Sequence, residues 1–573
     1  MSTNISKLKR DDLLNKINQI HAYIANAPQD ENTGKLLTYL SELEKDVNGK
    51  KYGLVFEEHR EKIDEVLENN TPVLAEEKEL FIDNGGEMNF LIEGDNLASL
   101  KLLEKTHRGK IDLIYIDPPY NTKNADFMYD DTFIDSDDLY RHSKWISFMK
   151  NRLILCRKLL SEKGFIFISI DDNEAPHLKV LCDEIFGENN YEKTDYIQVR
   201  YPEKTLKSDM RYHKEIEQVL VYRKSILAKP YLRPQDYDYE KFIYSVEETG
   251  VGKECIMGGK KVVIFQPNEY RIVKHTEGKK EYLKEIWATG TILNGNSSGR
   301  FFRDFLDGRK EIDGLGVMYK VYGIGDDLYP YRYFTGPKKA TATKGKYYQG
   351  VPVEKVEEGA TKVVPIPNYY DMAADFGNIR HEGGVPFNSG KKPVKLIDMY
   401  LDYFQESNIT VLDFFAGSGS TGHAVLKRNQ SDKGTRKFIL CTNNESNICR
   451  EITYERLKNV LQQYDGSLKY YKVDYVPISD RMYYEYADEL LDHIRELVEL
   501  ENGVNFTSNK EIAIVLTEEE LDQFIDDIDN FSACKKIYMG HDILMDAAQE
   551  QKLKDNKIVV NIIPDYYYKE LEG

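Results

Sequence analysis

The apolar run Ile111-Asp112-Leu113-Ile114-Tyr115-Ile116 ends abruptly in Asp117-Pro118-Pro119-Tyr120. A stretch this apolar is buried on both faces, the habit of a central strand in a parallel sheet. Two consecutive prolines offer no N–H to a ladder and fix their own φ, so the strand cannot run on through them. The chain is thereby committed to an α/β architecture with a stiff turn, acidic and aromatic, at the carboxyl end of a buried strand. That edge is where open α/β sheets hold their ligands.

The same rhythm extends to either side. Asn89-Phe90-Leu91-Ile92-Glu93 is a strand candidate ending at Gly94-Asp95-Asn96, followed by a helix through Leu97, Leu100 and Leu103. Beyond the proline turn, Trp145, Met149, Arg152, Leu153, Cys156 and Leu160 mark one side of a longer helix, in which Trp145 is read as core. Strand Phe165–Ile170 runs into Asp171-Asp172-Asn173-Glu174, where one aspartate is expected to cap the helix beginning near Glu174. His142 and His213 are read as structural. From 196 to 378 the rhythm breaks into a tyrosine-, glycine- and lysine-rich stretch suited to an irregular β-rich domain. It resumes with Lys392-Pro393, a helix through Leu396, Ile397 and Tyr400, a strand over 409–412, a glycine turn, a helix over 421–429 and strand Lys437–Leu440. The 573 residues exceed one ordinary core. The expected parts are a helical region over 1–75, a first core segment over 76–195, an inserted domain over 196–378, a second core segment over 379–475 and a small acidic β-α-β-α-β module over 476–573.

Four polar signals each end an expected strand: Asp95, Asp117, Asp413 with its glycines, and Glu445. Four such endings can share one crevice. The turn Gly417-Ser418-Gly419 between strand and helix lets backbone N–H groups approach a ligand closely. Glu445 follows at the end of the next strand, placed to accept both hydroxyls of a ribose. Gly417 through Gly422 also fits a dinucleotide spacing, but a hydride-transfer enzyme has no evident use for the Asp117 turn. That turn suits a planar amino-bearing ring: a carboxylate and a main-chain carbonyl accept the amine, and Tyr120 covers the ring face.

The net charge of −19 speaks at first against a nucleic-acid partner, yet residues 191–350 hold 29 Lys and Arg against 22 Asp and Glu. A basic middle in an acidic chain places a polyanion there, with Arg332, Lys338, Lys339, Lys344 and Lys346 as candidate DNA contacts. The six cysteines form no CxxC pair and read as buried thiols in a reducing compartment, and no metal site is expected. No signal-peptide core or membrane-length apolar run is found, so a cytoplasmic location without membrane association is expected.

Taken together, Asn89–Leu100, Ile111–Thr122, His142–Glu174, Lys391–Leu401 and Val411–Glu445 resemble the β arrangement of DNA adenine-N6 methyltransferases, most closely the modification (Mod) subunits of Type III restriction–modification systems. The resemblance implies a Rossmann-like, circularly permuted sheet with an inserted target-recognition domain and small flanking domains, and S-adenosylmethionine as methyl donor. Asp117, Pro118, Pro119 and Tyr120 would be catalytic. Asp95, Asn96, Asp413, Phe415, Gly417, Gly419, Glu445 and Lys392 would hold the cofactor. The substrate would be double-stranded DNA with its adenine flipped out onto Tyr120. A homodimer is expected, and a separate endonuclease/helicase (Res) partner, since no Walker-type sequence occurs here. A solitary methyltransferase, cytosine N4 or RNA as target, and a non-catalytic recognition subunit are the alternatives. Aspartate at 117 favours adenine.

Overall fold

The computed structural model describes residues 5–26, 32–48, 56–122, 128–129, 132–133, 138–203, 212–288, 297–357, 360–386, 391–478, 490–491, 493–506, 509–540 and 542–563. They fall into two compact units, one formed by 1–231 with 367–573 and the other by 232–366.

The first unit is built on a ten-stranded mixed sheet. Its strands are β1 (Asn70–Glu76), β2 (Met88–Glu93), β3 (Ile111–Ile116), β4 (Leu160–Ile170), β5 (Tyr191–Gln198), β6 (Ile216–Arg223), β7 (Tyr369–Asp371), β8 (Thr410–Asp413), β9 (Lys437–Thr442) and β10 (Ser467–Pro477), in the order β1-β10-β2-β9-β8-β3-β4-β6-β5-β7. From β10 to β4 every pairing is parallel. β6 runs against both β4 and β5. This reversal matters: the first residues of β6 lie beside the carboxyl end of β4, with Gln218 opposite Ile170.

Burial on both faces explains the apolar texture of β3 and β4. Ile114, Ile116, Ile166 and Ile168 join one core with the helices α1 (Asn96–His107), α2 (Arg141–Leu159) and α3 (Ala175–Phe186). On the other face Tyr115 and Phe167 stack against Tyr400 of α4 (Val394–Leu401), the closer pair 4.1 Å apart. Trp145 is fully buried, as its position on the helix predicts. Helix α5 (Ser420–Asp432) follows the glycine turn. A Cβ on its Gly422 would lie 2.7 Å from Leu457 and 3.2 Å from both Phe438 and Leu440, so only glycine lets α5 sit this close to β9.

Several boundaries differ from expectation. Residues 70–76 are not helical: Thr71-Pro72-Val73 favours an extended chain, and β1 closes the sheet edge against β10. Residues 191–223 and 369–378 do not belong to the interrupting unit. The consecutive buried residues Val219, Leu220, Val221 and Tyr222 set β6 inside the main sheet, with β5 and β7 beyond it. Neither Asp171 nor Asp172 caps α3 through its side chain: Asp171 turns back onto Asn173, and Asp172 accepts from Gln218. The tail forms a parallel three-stranded sheet, Ile512–Val515, Lys536–Gly540 and Val559–Ile563, whose Tyr538 and Ile563 pack into the main core.

The second unit carries a six-stranded antiparallel sheet, with Phe302, Phe334 and Tyr347 in one core and Phe265, Tyr333 and Tyr348 in the other. Among the described residues no helix is long and apolar enough to cross a membrane. All six cysteines are free, and Cys255 is only half-buried, unlike the other five.

Helix α6 (Ile494–Asn502) is tied to the sheet by a fully buried ion pair, Lys469 to Glu499 at 2.5 Å. Tyr471 and the Phe506 N–H also donate to Glu499. Removing the ammonium strands that carboxylate in the core, so Lys469→Ala is expected to cost about 3–5 kcal/mol in urea denaturation.

Candidate active site

The carboxyl ends of β3 and β8 and the start of β6 border a cavity of about 460 Å³. Asp117, Pro118, Pro119 and Tyr120 line one side, and Asp413, Phe415, Gly417 and Ser418 the other. Two stretches almost three hundred residues apart in the chain thus share one crevice.

The proline turn is braced from behind. Trp145 Nε1 donates to the Pro119 carbonyl at 2.7 Å. Asn121, in the left-handed region at φ +53°, donates to the Arg141 carbonyl and to Glu174. On the cavity side, Lys392 joins the cluster. Its ammonium lies 2.6 Å from Glu217, 2.6 Å from the Tyr120 hydroxyl and 3.4 Å from Asp117. Tyr120 in turn donates to Glu217 at 3.0 Å, which fixes its ring as a wall of the cavity.

These contacts divide the two acids. Burial pushes Asp117 up to about 6, with the Lys392 charge restraining the rise. Burial would raise Glu217 too, but the Lys392 charge and hydrogen bonds from Lys392 and Tyr120 hold it below the ordinary value. Burial acts to lower Lys392, yet its two acidic neighbours push it up to about 12. Asp117 Oδ1 is buried and is the oxygen that faces the Lys392 ammonium at 3.4 Å.

On the opposite wall, Asp413 accepts from the Phe415 N–H at 3.0 Å and from Thr421 at 2.5 Å, which shapes the turn. Gly417 and Gly419 have φ of +48° and +74°. Among the described residues, the one non-neighbouring atom within 4 Å of a Cβ built on Gly417 is the Phe415 carbonyl oxygen at 3.8 Å, so this backbone is open to a close-packed ligand. Lys392 also accepts the Ser420 hydroxyl on its carbonyl at 2.7 Å, tying the head of α5 to the acid cluster.

Four expected cofactor residues, Asp95, Asn96, Gly419 and Glu445, are outside the cavity lining. Asp95 caps α1 by accepting from Leu97, and Asn96 bridges the Phe414 carbonyl and Arg152. Glu445 follows β9 in a short 3-10 turn and is exposed. Gly419 sits at the head of α5. Lys392, expected beside the cofactor, instead points its ammonium at the proline turn. Glu217 was not anticipated; an acid at the start of a strand gives no signal until that strand is known to run backwards.

In the second unit, Arg332 is buried and cannot be a DNA contact. Its guanidinium is held by Asp327 at 2.6 Å and Ser298 at 2.6 Å. Lys346 pairs with Glu285 at 2.5 Å and lies over Trp287. Lys338, Lys339 and Lys344 are exposed on the connection between strands Tyr331–Thr335 and Lys346–Gln349.

The DNA methylase family model matches residues 111–456, from the first residue of β3 to beyond the glycine turn, and the chain belongs to that family. Among curated proteins it is 31% identical over 418 residues to the Type III restriction-modification enzyme StyLTI Mod subunit of Salmonella typhimurium, covering 66% of this chain and 58% of that protein. It is 28% identical to the EcoPI Mod subunit of Escherichia phage P1, covering 63% and 58%. It is 29% identical to the Type II methyltransferase M.KpnI of Klebsiella pneumoniae, covering 63% and 82%. The chain spans little more than half the length of the Mod subunits it matches.

Burial raises Asp413 from 3.8 to about 7. The folded chain therefore holds this proton more tightly than the unfolded chain, and stability is lost as pH rises from about 4 to 7. An Asp413→Asn variant escapes that loss. Its stability relative to wild type is expected to grow across this window and level off above it, by a few kcal/mol at most in paired urea titrations.

Proposed function

We propose that this chain is a site-specific DNA methyltransferase that moves a methyl group from S-adenosylmethionine to N6 of a flipped-out adenine, as the modification subunit of a Type III restriction–modification system. One observation carries the reading: the Asp117 carboxylate and the open glycine turn line one cavity. An amine acceptor and a cradle for a second ligand in one crevice suit transfer of a group between two bound molecules.

When bound, S-adenosylmethionine supplies an electrophilic sulfonium methyl group. Gly417, Ser418 and Phe415 are the residues that would hold it, with Glu445 and Asp95 as outlying contacts. The exocyclic amine of adenine is a weak nucleophile because its lone pair is delocalised into the ring. Asp117 and the Pro118 carbonyl accept its two N–H bonds, which favours a more tetrahedral nitrogen aimed along the displacement line. Asp117 need only be ionised for this task, and a carboxyl titrating at about 6 is ionised near neutrality. Tyr120, its hydroxyl pinned by Glu217 and Lys392, serves as the stacking surface for a base taken out of the duplex. The amine gains the methyl carbon as the sulfonium S–C bond breaks and its electron pair stays on sulfur as a neutral thioether; the methylated amine then gives one proton to Asp117 or to water.

Double-stranded DNA is the substrate in this reading, and a Res-type endonuclease/helicase is a separate chain. A homodimer belongs to the same reading. It is supported by the helices Ile5–Asn26 and Thr33–Asn48, which leave Leu13, Ile20, Leu36 and Leu43 about half exposed.

The decisive experiment incubates the protein with labelled S-adenosylmethionine and mixed-sequence DNA and identifies the modified nucleoside; N6-methyl-2′-deoxyadenosine is expected, and no label in DNA would refute the proposal. Asp117→Ala is expected to lower methyl transfer by about 10²-fold or more while cofactor binding, measured by calorimetry, persists. Replacing Lys338, Lys339 and Lys344 together by Gln is expected to weaken DNA binding uniformly across sequences. If all three meet phosphates, the slope of log affinity against log salt should flatten by roughly 2.7; an unchanged slope would move the DNA face elsewhere.

A further inference from the structure

We propose that His142, Glu174 and His177 form a binding site for one divalent transition-metal ion of the zinc class, directly behind the proline turn. The three residues come from the first turn of α2 and the head of α3, where an i, i+3 spacing places Glu174 and His177 on one side. One donor atom from each lies within 4.8 Å of the others, and the imidazole rings stand 4.6 Å apart.

A hydrogen-bonded cluster without an ion explains only half of this arrangement. His142 Nδ1 bonds Glu174 Oε1 at 2.7 Å, and Asn121 donates to the same oxygen at 2.5 Å. The other half is different. Glu174 is completely buried, and its Oε2 lies 2.9 Å from His177 Nδ1, yet among the described residues neither atom has an aligned hydrogen-bond partner. A cation placed between this carboxylate oxygen and this ring nitrogen would satisfy both. Two nitrogens and one oxygen suit zinc, cobalt or nickel better than magnesium or calcium, which prefer all-oxygen shells.

Bonds of about 2.0–2.2 Å in tetrahedral geometry separate ligands by roughly 3.4 Å, so the short acid–imidazole contact opens by roughly half an ångström while donor pairs now as far apart as 4.8 Å close in. Both imidazoles keep about a third of their surface exposed, leaving room for entry and for a water in the fourth position. Binding replaces the proton on His142 Nδ1, and Arg141, which donates to His142 Nε2 at 3.2 Å, gives up that bond and swings outward. Glu174 Oε1 also holds Asn121, so the ion would stiffen the turn that carries Asp117 and Tyr120.

The test uses untagged full-length protein stripped of metal with a chelator. It is titrated with Zn²⁺ by calorimetry and with Co²⁺ by visible absorption. One ion per chain is expected, with a Co²⁺ band of nitrogen–oxygen coordination and no competition from Mg²⁺. His142→Ala and His177→Ala should each weaken Zn²⁺ by about tenfold or more, with unchanged circular dichroism showing an intact fold. Binding below one ion per chain, or wild-type affinity in His177→Ala, would overturn the site. Neither readout depends on methyl transfer, so this proposal and the catalytic one stand or fall separately.

Discussion

A single buried ammonium, that of Lys392, binds together what the sequence keeps apart. It touches Asp117 and the Tyr120 hydroxyl from one end of the catalytic unit and Glu217 from the reversed strand β6. Its own carbonyl receives Ser420 from the head of the helix after the glycine turn. Two carboxylates this near one another and out of water would not both stay ionised without a cation between them. Lys392 supplies it, and the two walls of the cavity are held together by the same residue.

The pairing is unequal, and the inequality has chemical value. Glu217 takes the short contact with the ammonium and the tyrosine hydrogen bond, and its carboxyl falls below the ordinary range. Asp117 is left with the longer contact of 3.4 Å, and burial lifts it to about 6. Environment thus splits two similar side chains into a fixed structural anion and a more weakly paired one. Splitting of this kind is characteristic of functional sites.

The two walls were legible in the sequence because proline and glycine act through the backbone. Pro118 and Pro119 stop a strand, and Gly417 and Gly419 take dihedrals that other residues avoid, whatever surrounds them. Contacts made by lone side chains were not legible. Glu217 lies in Ile216–Arg223, a run that reads as an ordinary strand, and its role depends on β6 running backwards beside β4. Arg332 was misread for the converse reason: charge counting registers both the guanidinium and Asp327, five residues away, but not that the two pair in the core. The over-wide inserted domain has the same origin. Tyrosine-rich composition from 196 onward hid the apolar run that buries Val219, Leu220, Val221 and Tyr222 in the main sheet.

The bracing behind the turn bears on how the site works. Asn121 occupies a left-handed backbone conformation that costs a non-glycine residue free energy, and it persists because the Glu174 carboxylate and the Arg141 carbonyl both claim its amide. Trp145, itself fully buried, clamps the preceding carbonyl. The turn is therefore held on its far side by the packing of α2 and α3, and on its near side by Lys392. Little freedom remains for Asp117 to lose when a ligand arrives. A transfer that depends on aiming one lone pair, with no strong base to assist, gains most from such prior ordering, because the geometry is already fixed before the reacting atoms meet.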